Sequence, residues 1–252
     1  MEPADPDPTR RFSDLADVYA RFRPSYPAGA IDLILDGLAA PAPLVAADVG
    51  AGTGIASRLL AERGVRVEAV EPNAAMRKAA APHPRVTWHE GIAVATGLAD
   101  ASVDLVLVAQ AFHWFEVGPT TREFQRILRP GGRLAVMWNR RTRDDAFTLG
   151  YRAAFEATDS EAPVDRSTFE PAVVAATGRF AKLRAHVVPY AQALTLEEML
   201  GRAHSTSTVP KAGPRREELF RMLRALHARH AGPVGCATMV YRTEVFLWDR
   251  VG

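Results

Sequence analysis

The residues of this 252-residue sequence best placed to do chemistry are two acids, a run of alternating glycines and one histidine. Asp48 follows the uncharged run Leu44-Val45-Ala46-Ala47 and precedes Gly50, Gly52 and Gly54, with Ala51 and Thr53 between the glycines. Glycines at alternate positions let the backbone turn sharply and approach a ligand where any Cβ would intrude, which suits a nucleotide-type cofactor. Glu71 comes about twenty residues later, where an acid can accept hydrogen bonds from both hydroxyls of a ribose; the plainer reading is an acid that opens a turn with Pro72 and Asn73. A dinucleotide fingerprint places its third glycine three positions after the second. Ile55 stands there instead, which argues against hydride chemistry on NAD. His113 lies in Ala109-Gln110-Ala111-Phe112-His113-Trp114-Phe115. It is a candidate general base, since imidazole titrates near neutrality, and equally a histidine hydrogen-bonded within an aromatic cluster.

The elements that must position these groups follow from the apolar pattern. The run ending at Asp48 suits a strand buried on both faces of a parallel sheet. A helix is expected after Gly54, with Ile55, Leu59 and Leu60 on its apolar face, Ser57, Arg58, Glu62 and Arg63 left to solvent, and Gly64 placed to end it. Further strands are expected at Val65–Val70, Val86–His89, Val103–Ala109 and Leu134–Trp138, alternating with helices at Ala74–Ala80 and Thr121–Leu128. Such alternation implies a doubly wound parallel α/β sheet. Ahead of it, Phe12–Tyr26 reads as a short helix with an N-cap at Ser13 that stops before Pro24, and Ile31, Ile34, Leu35 and Leu38 mark an amphipathic helix. Beyond it, Ala146–Ala157 and Arg216–His227 read as helices, and Leu183–Val188 and Thr238–Trp248 as late strands that complete the sheet.

Bulk properties narrow the partners. Acids and bases nearly cancel, leaving a formal net charge of +2, so no basic face for nucleic acid is implied. Cys236 is the sole cysteine, and an internal disulfide or thiolate zinc cluster is therefore excluded; with no secretory signal in view, a reducing cytoplasm is expected. No apolar run reaches membrane-spanning length, so no membrane partner is expected. No metal is expected either.

The run Asp48–Gly54 resembles the first motif of class I methyltransferases that use S-adenosylmethionine, whose glycine loop holds the amino-acid end of the cofactor. Gly91-Ile92-Ala93 matches the family's turn against adenine, although Val94 stands where relatives often carry an acid. Phe12–Pro27, the Ala109–Phe115 run and Leu128-Arg129-Pro130-Gly131-Gly132-Arg133-Leu134 look like the family's small-molecule branch (methyltransferase type 11, trans-aconitate methyltransferase-like). The resemblance is specific over Phe12–Asn139 and looser through Leu194-Thr195-Leu196 and Tyr241–Leu247. It implies a Rossmann-like, mostly parallel seven-stranded sheet with helical cap elements. A single domain over 1–252 is expected, divided into a lid segment at 1–27, a cofactor-binding core at 28–139, and late strands and substrate cap at 140–252.

The same resemblance implies cofactor contacts from Tyr19 and Arg23 on the lid, from Asp48, Gly50, Ala51, Gly52, Thr53 and Gly54, from Glu71 and Pro72, from Ile92 and Ala93, and from Ala109 and Gln110. Trp114 and Trp138, at the ends of adjacent strands, are candidates to wall the acceptor pocket or simply to pack, and Arg202, Ser205 and Ser207 are candidates to reach the acceptor from the cap. The expected reaction is transfer of a sulfonium methyl to a small organic acceptor on oxygen, releasing S-adenosylhomocysteine. Since that methyl is already activated, catalysis would consist mainly of proximity and orientation. A carboxylate acceptor needs no base, whereas a hydroxyl could use His113. Two rival readings stay open: a nucleic-acid or protein methyltransferase, and a silent cofactor-binding module. Against the nucleic-acid rival, Gln110-Ala111-Phe112-His113 occupies the place where such enzymes usually carry a proline-rich tetrad.

Overall fold

The computed structural model describes residues 16–38, 43–158, 160, 169–206, 208–210 and 212–252; of Asp17 and Tyr19 only the backbone is described. The expected N-cap Ser13 lies outside these residues. Seven strands form one sheet in the order β3-β2-β1-β4-β5-β7-β6, mostly parallel with one antiparallel hairpin region. They are β1 Val45–Val49, β2 Arg66–Val70, β3 Val86–His89, β4 Val103–Ala109, β5 Leu128–Arg141, β6 Phe180–Leu194 and β7 Ala237–Arg250. The helices are α1 Ala16–Phe22, α2 Ala28–Leu35, α3 Ile55–Ala61, α4 Ala74–Ala79, α5 Val117–Ile127, α6 Ala146–Ala157, α7 Ala172–Ala175, α8 Leu196–His204 and α9 Pro214–His230.

The chain divides into two compact units, a sheet unit (Ser25–Asn139, Phe169–Val188, Thr243–Gly252) and a helical unit (the described residues of Met1–Pro24, Arg140–Thr168 and Pro189–Arg242). The divisions fall after Pro24, between Thr168 and Phe169, and inside β5, β6 and β7.

In the sheet unit the two-residue repeat of strands builds a core on each face. Val45, Ala47, Val106, Val108, Leu134, Val136 and Trp138 meet Phe124 and Ile127 of α5 on one side. Ala46, Leu105, Leu107, Ala135 and Met137 meet Ile31 and Ile34 of α2 and Leu60 of α3 on the other. Both faces being covered explains why these strands read as continuous apolar runs. Pairing is parallel and in register at the strand ends, with Val49 opposite Val70, Val70 opposite His89, and Ala109 opposite Met137.

Strand β5 begins six residues before the expected Leu134. Leu128 pairs with Val103 and Arg133 with Leu105, so Arg129–Gly132 bulge out between them. Asp104 holds the bulge by accepting from Arg129 Nη1 at 2.7 Å. Ser57, expected in solvent, is fully buried, because the first turn of α3 lies over Asp48.

The helical unit is centred on Phe147, Tyr151, Met199, Leu219 and Leu223. Thr195 and Glu198 form a capping box at the start of α8. No described helix is long and apolar enough to cross a membrane.

Candidate functional site

Strands β1 to β4 are parallel, so the loops following them share one edge of the sheet, where ligands bind in open α/β folds. Asp48 sits one residue before the end of β1 and is 1% exposed. Its Oδ2 accepts from Ser57 Oγ at 2.6 Å, while its Oδ1 is buried and has no partner. Burial pushes the Asp48 carboxyl up from an ordinary value of 3.8 to about 6, against the lowering effect of Ser57.

The three loop glycines all have positive φ but serve different needs. A Cβ on Gly50 would lie 2.7 Å from Ala111 Cβ, and one on Gly54 2.9 Å from the Trp88 ring, so both are packing requirements. Gly52, at φ +58°, has nothing within 4 Å of such a Cβ, so the loop there faces open space. Its N–H donates to Glu71 Oε2 at 2.9 Å. Thr53 is buried and its Oγ1 has no partner, while its carbonyl accepts from Arg58. Ala51 N donates to Val70 O at 3.2 Å, tying the loop to the end of β2.

Glu71 thus spans two strand ends, since its Oε1 also accepts from Asn73 N at 2.9 Å. Burial holds its pKa above the usual carboxylate value despite these bonds and the nearby Arg77. The Pro72 turn is fixed by Arg77, which donates to the carbonyls of Glu71 and Pro72. Asn73 caps α4 by accepting from Ala75 N and Met76 N. After β3, Ile92 and Ala95 exchange backbone hydrogen bonds in a tight turn that leaves Ile92 exposed and Ala93 buried. Glu123 anchors this turn by accepting from Thr96 N and Oγ1.

At the end of β4, Ala109 is followed by Gln110 at φ +60°, an unusual conformation for a residue with a side chain. Its backbone N–H donates to Met137 O at 2.9 Å and its Nε2 to Asn139 O at 3.1 Å. Asn139 in turn donates to Ser25 O and accepts from Thr243 Oγ1 at 2.6 Å. Phe112–Trp114 then form a 3-10 turn. His113 is exposed on it, its ring 4.5 Å from Trp114 and 5.5 Å from Trp138. Trp114 is 40% exposed, whereas Trp138 is 3% exposed in the core beside Phe112. Trp138 packs on the face of β5 that it shares with Leu134 and Val136.

The sheet unit therefore brings together Asp48, Gly50–Gly54, Glu71, Pro72, Ile92, Ala93, Ala109, Gln110, His113, Trp114 and Trp138. Tyr19, Arg23 and Ser205 belong to the helical unit. There Arg23 Nη2 donates to Ser205 O at 3.1 Å, and the Ser205 hydroxyl is buried and donates to Arg202 O. Ser207 lies outside the described residues. Ser57, Asn139 and Thr243 were not singled out from sequence. Ser57 had a signal, a small hydroxyl in the first turn after the glycines; Asn139 and Thr243 had none, because their partner lies 104 residues away.

The arrangement fits the polar end of the expected cofactor. Two orphaned buried oxygens, Asp48 Oδ1 and Thr53 Oγ1, flank a loop whose central glycine faces open space. Residues 47–136 match a family model described as a methyltransferase domain. An uncharacterised methyltransferase of Mycobacterium bovis is 43% identical over 140 residues, 55% of each chain, so this chain spans about half the length of that relative. An uncharacterised methyltransferase-like protein of Schizosaccharomyces pombe is 34% identical over 206 residues, 79% of this chain and 78% of that protein. The solved structure of a candidate type II methyltransferase from Anaeromyxobacter dehalogenans superimposes with a TM-score of 0.66 at 30% identity, covering 91% of this chain and 97% of that one.

Proposed function

Because the chain belongs to the class I S-adenosylmethionine-dependent methyltransferases, we propose that it methylates a small organic acceptor on oxygen, carboxylate or hydroxyl, and holds its cofactor at Gly50–Gly54, Glu71 and Ala93. The observation that carries the cofactor assignment is Glu71, which accepts from Gly52 N and Asn73 N and retains lone pairs for the two ribose hydroxyls. Asp48 and Thr53 offer their unpartnered oxygens to the amino-acid end, and the Ile92–Ala95 turn supports the adenine. When bound, S-adenosylmethionine supplies an already activated methyl group. What remains for the protein is to align acceptor and methyl and to exclude water.

The exposed turn at His113 and Trp114 is the proposed acceptor side of the sheet unit. His113 takes the proton from a hydroxyl acceptor and serves only to position a carboxylate. A small acceptor, not a polymer, accords with the near-neutral balance of charge. We place the reaction in a reducing cytoplasm on the strength of the lone Cys236.

Release of S-adenosylhomocysteine in the presence of a panel of acids, phenols and amines tests the proposal. Turnover with an acid or phenol is expected. Turnover with nucleic acid or protein alone, or none with any acceptor, would overturn it.

A further inference from the structure

Gln110 follows the last residue of β4 and stands at φ +60°, a left-handed conformation that glycine adopts freely and glutamine does not. The bonds around it show what holds the strain in place. In a parallel ladder the bonds to one neighbour leave from every second residue. Gln110 N donates to Met137 O, so the next rung would run from the N–H of Phe112 to Asn139 O. The Gln110 side chain makes a bond to that carbonyl instead, its Nε2 donating to Asn139 O at 3.1 Å. The carboxamide therefore closes the ladder, and the main chain is released from the sheet one rung early.

Asn139 is itself fixed. It donates to Ser25 O at 2.8 Å and accepts from Thr243 Oγ1 at 2.6 Å, and Thr243 is fully buried. Beyond Gln110, Ala111 and Phe115 lie against the backbone of Gly50, where an added Cβ would sit 2.7 Å from Ala111 Cβ and 3.1 Å from Phe115 Cζ. Phe112 is buried in the core, while His113 and Trp114 are exposed on the turn. Gln110 is thus the root of a segment that touches the glycine loop and also carries His113, and all these residues belong to the sheet unit.

We propose that Gln110 is a positioning residue: its strained backbone and engaged carboxamide, braced by Asn139 and Thr243, hold Ala111 and Phe115 against Gly50 and so set both the glycine loop for the cofactor and the turn that bears His113. Its side chain acts through Asn139 and not as a ligand of the cofactor. The inference rests on the cofactor reading above and adds to it the residues that keep the loop in place.

Two variants loosen this chain of bonds at different points. Gln110→Gly removes the carboxamide and gives the backbone a residue at ease with positive φ. Thr243→Val, nearly isosteric, removes the hydroxyl that holds Asn139. Amide hydrogen exchange without ligand reads the turn, in which the amides of Trp114 and Phe115 are bonded to Ala111 O and Phe112 O. Calorimetric titration with S-adenosylhomocysteine reads the loop, and thermal midpoints establish that each variant is folded. Exchange over 111–115 should quicken roughly tenfold in Gln110→Gly while β1 and β4 keep the rates of the unaltered chain. Affinity for S-adenosylhomocysteine should fall roughly five- to tenfold in each variant, and no further in the double variant, because both act along one chain of bonds. Unchanged exchange over 111–115, a Thr243→Val variant that binds as the unaltered chain does, or losses that multiply in the double variant would overturn the proposal; the last two are what a Gln110 in direct contact with the cofactor would give. If Gln110→Gly does not fold, Thr243→Val alone decides, with faster exchange and weaker binding expected and either one unchanged overturning the proposal. Failure of the unaltered chain to bind S-adenosylhomocysteine would instead overturn the cofactor reading, so the two failures are distinct.

Discussion

Asp48 is a residue the fold would be more stable without. Its carboxyl is fully buried, one oxygen has no partner, and burial lifts its pKa from 3.8 to about 6. The folded chain therefore holds the proton more tightly than the unfolded chain. Stability is full below about pH 3.8 and is withdrawn as pH rises through about 6. A rise of roughly two pKa units corresponds to about 3 kcal/mol at neutral pH. In Asp48→Asn the amide oxygen still accepts from Ser57, while the amide nitrogen replaces the orphaned oxygen at a loss of roughly 1 to 2 kcal/mol. The expected net gain is about 1 to 2 kcal/mol at pH 8 and turns into a net loss of about 1 kcal/mol near pH 4, where the carboxyl is protonated in the folded chain and the amide's cost remains. Urea denaturation of both proteins at the two pH values measures it. A variant less stable at pH 8, or a gain equal at both pH values, would refute the reasoning. The same variant should bind S-adenosylmethionine more weakly, because the destabilising charge is kept for the ligand.

Gly52→Val should cost about 1 to 2 kcal/mol of stability, since Gly52 has φ +58°, and should abolish measurable cofactor binding; normal calorimetric binding would make the loop purely structural. Trp138→Ala should destabilise by about 3 to 5 kcal/mol, whereas Trp114→Ala, at a 40% exposed position, should barely move the thermal midpoint but should lower turnover. Equal stability losses in the two tryptophan variants would contradict the core placement of Trp138. His113→Gln should slow turnover only modestly with a carboxylate acceptor and roughly a hundredfold or more with a hydroxyl acceptor; a steady-state rate unchanged with a hydroxyl acceptor would remove His113 from the chemistry.

Much of the sheet unit was legible because its signals are local. Strands β3 and β4 begin and end where their apolar runs do, and α6 spans the expected Ala146–Ala157. The expected site residues after β1, β2, β3 and β4 share one edge because parallel strands must end together. What could not be read depends on contacts distant in sequence. The early start of β5 needs the Arg129–Asp104 pairing, and the strained Gln110 is held by Met137 and Asn139, nearly thirty residues on. The burial of Trp138 follows from which face of β5 it shares with Leu134 and Val136, a register that sequence alone does not label in or out when both faces are covered. Three of the divisions between the two compact units fall inside continuous strands, where no linker composition marks them in the sequence.

The central claim is that Glu71 and the Gly50–Gly54 loop hold S-adenosylmethionine at the strand ends. Calorimetric titration of S-adenosylmethionine into the unaltered chain and into Glu71→Ala tests it most directly. Removing the carboxylate would delete the proposed ribose hydrogen bonds together with the bonds from Gly52 N and Asn73 N. The affinity should fall by on the order of 1 to 3 kcal/mol, roughly five- to more than a hundredfold. An unchanged affinity in Glu71→Ala, with the variant folded, would contradict the account.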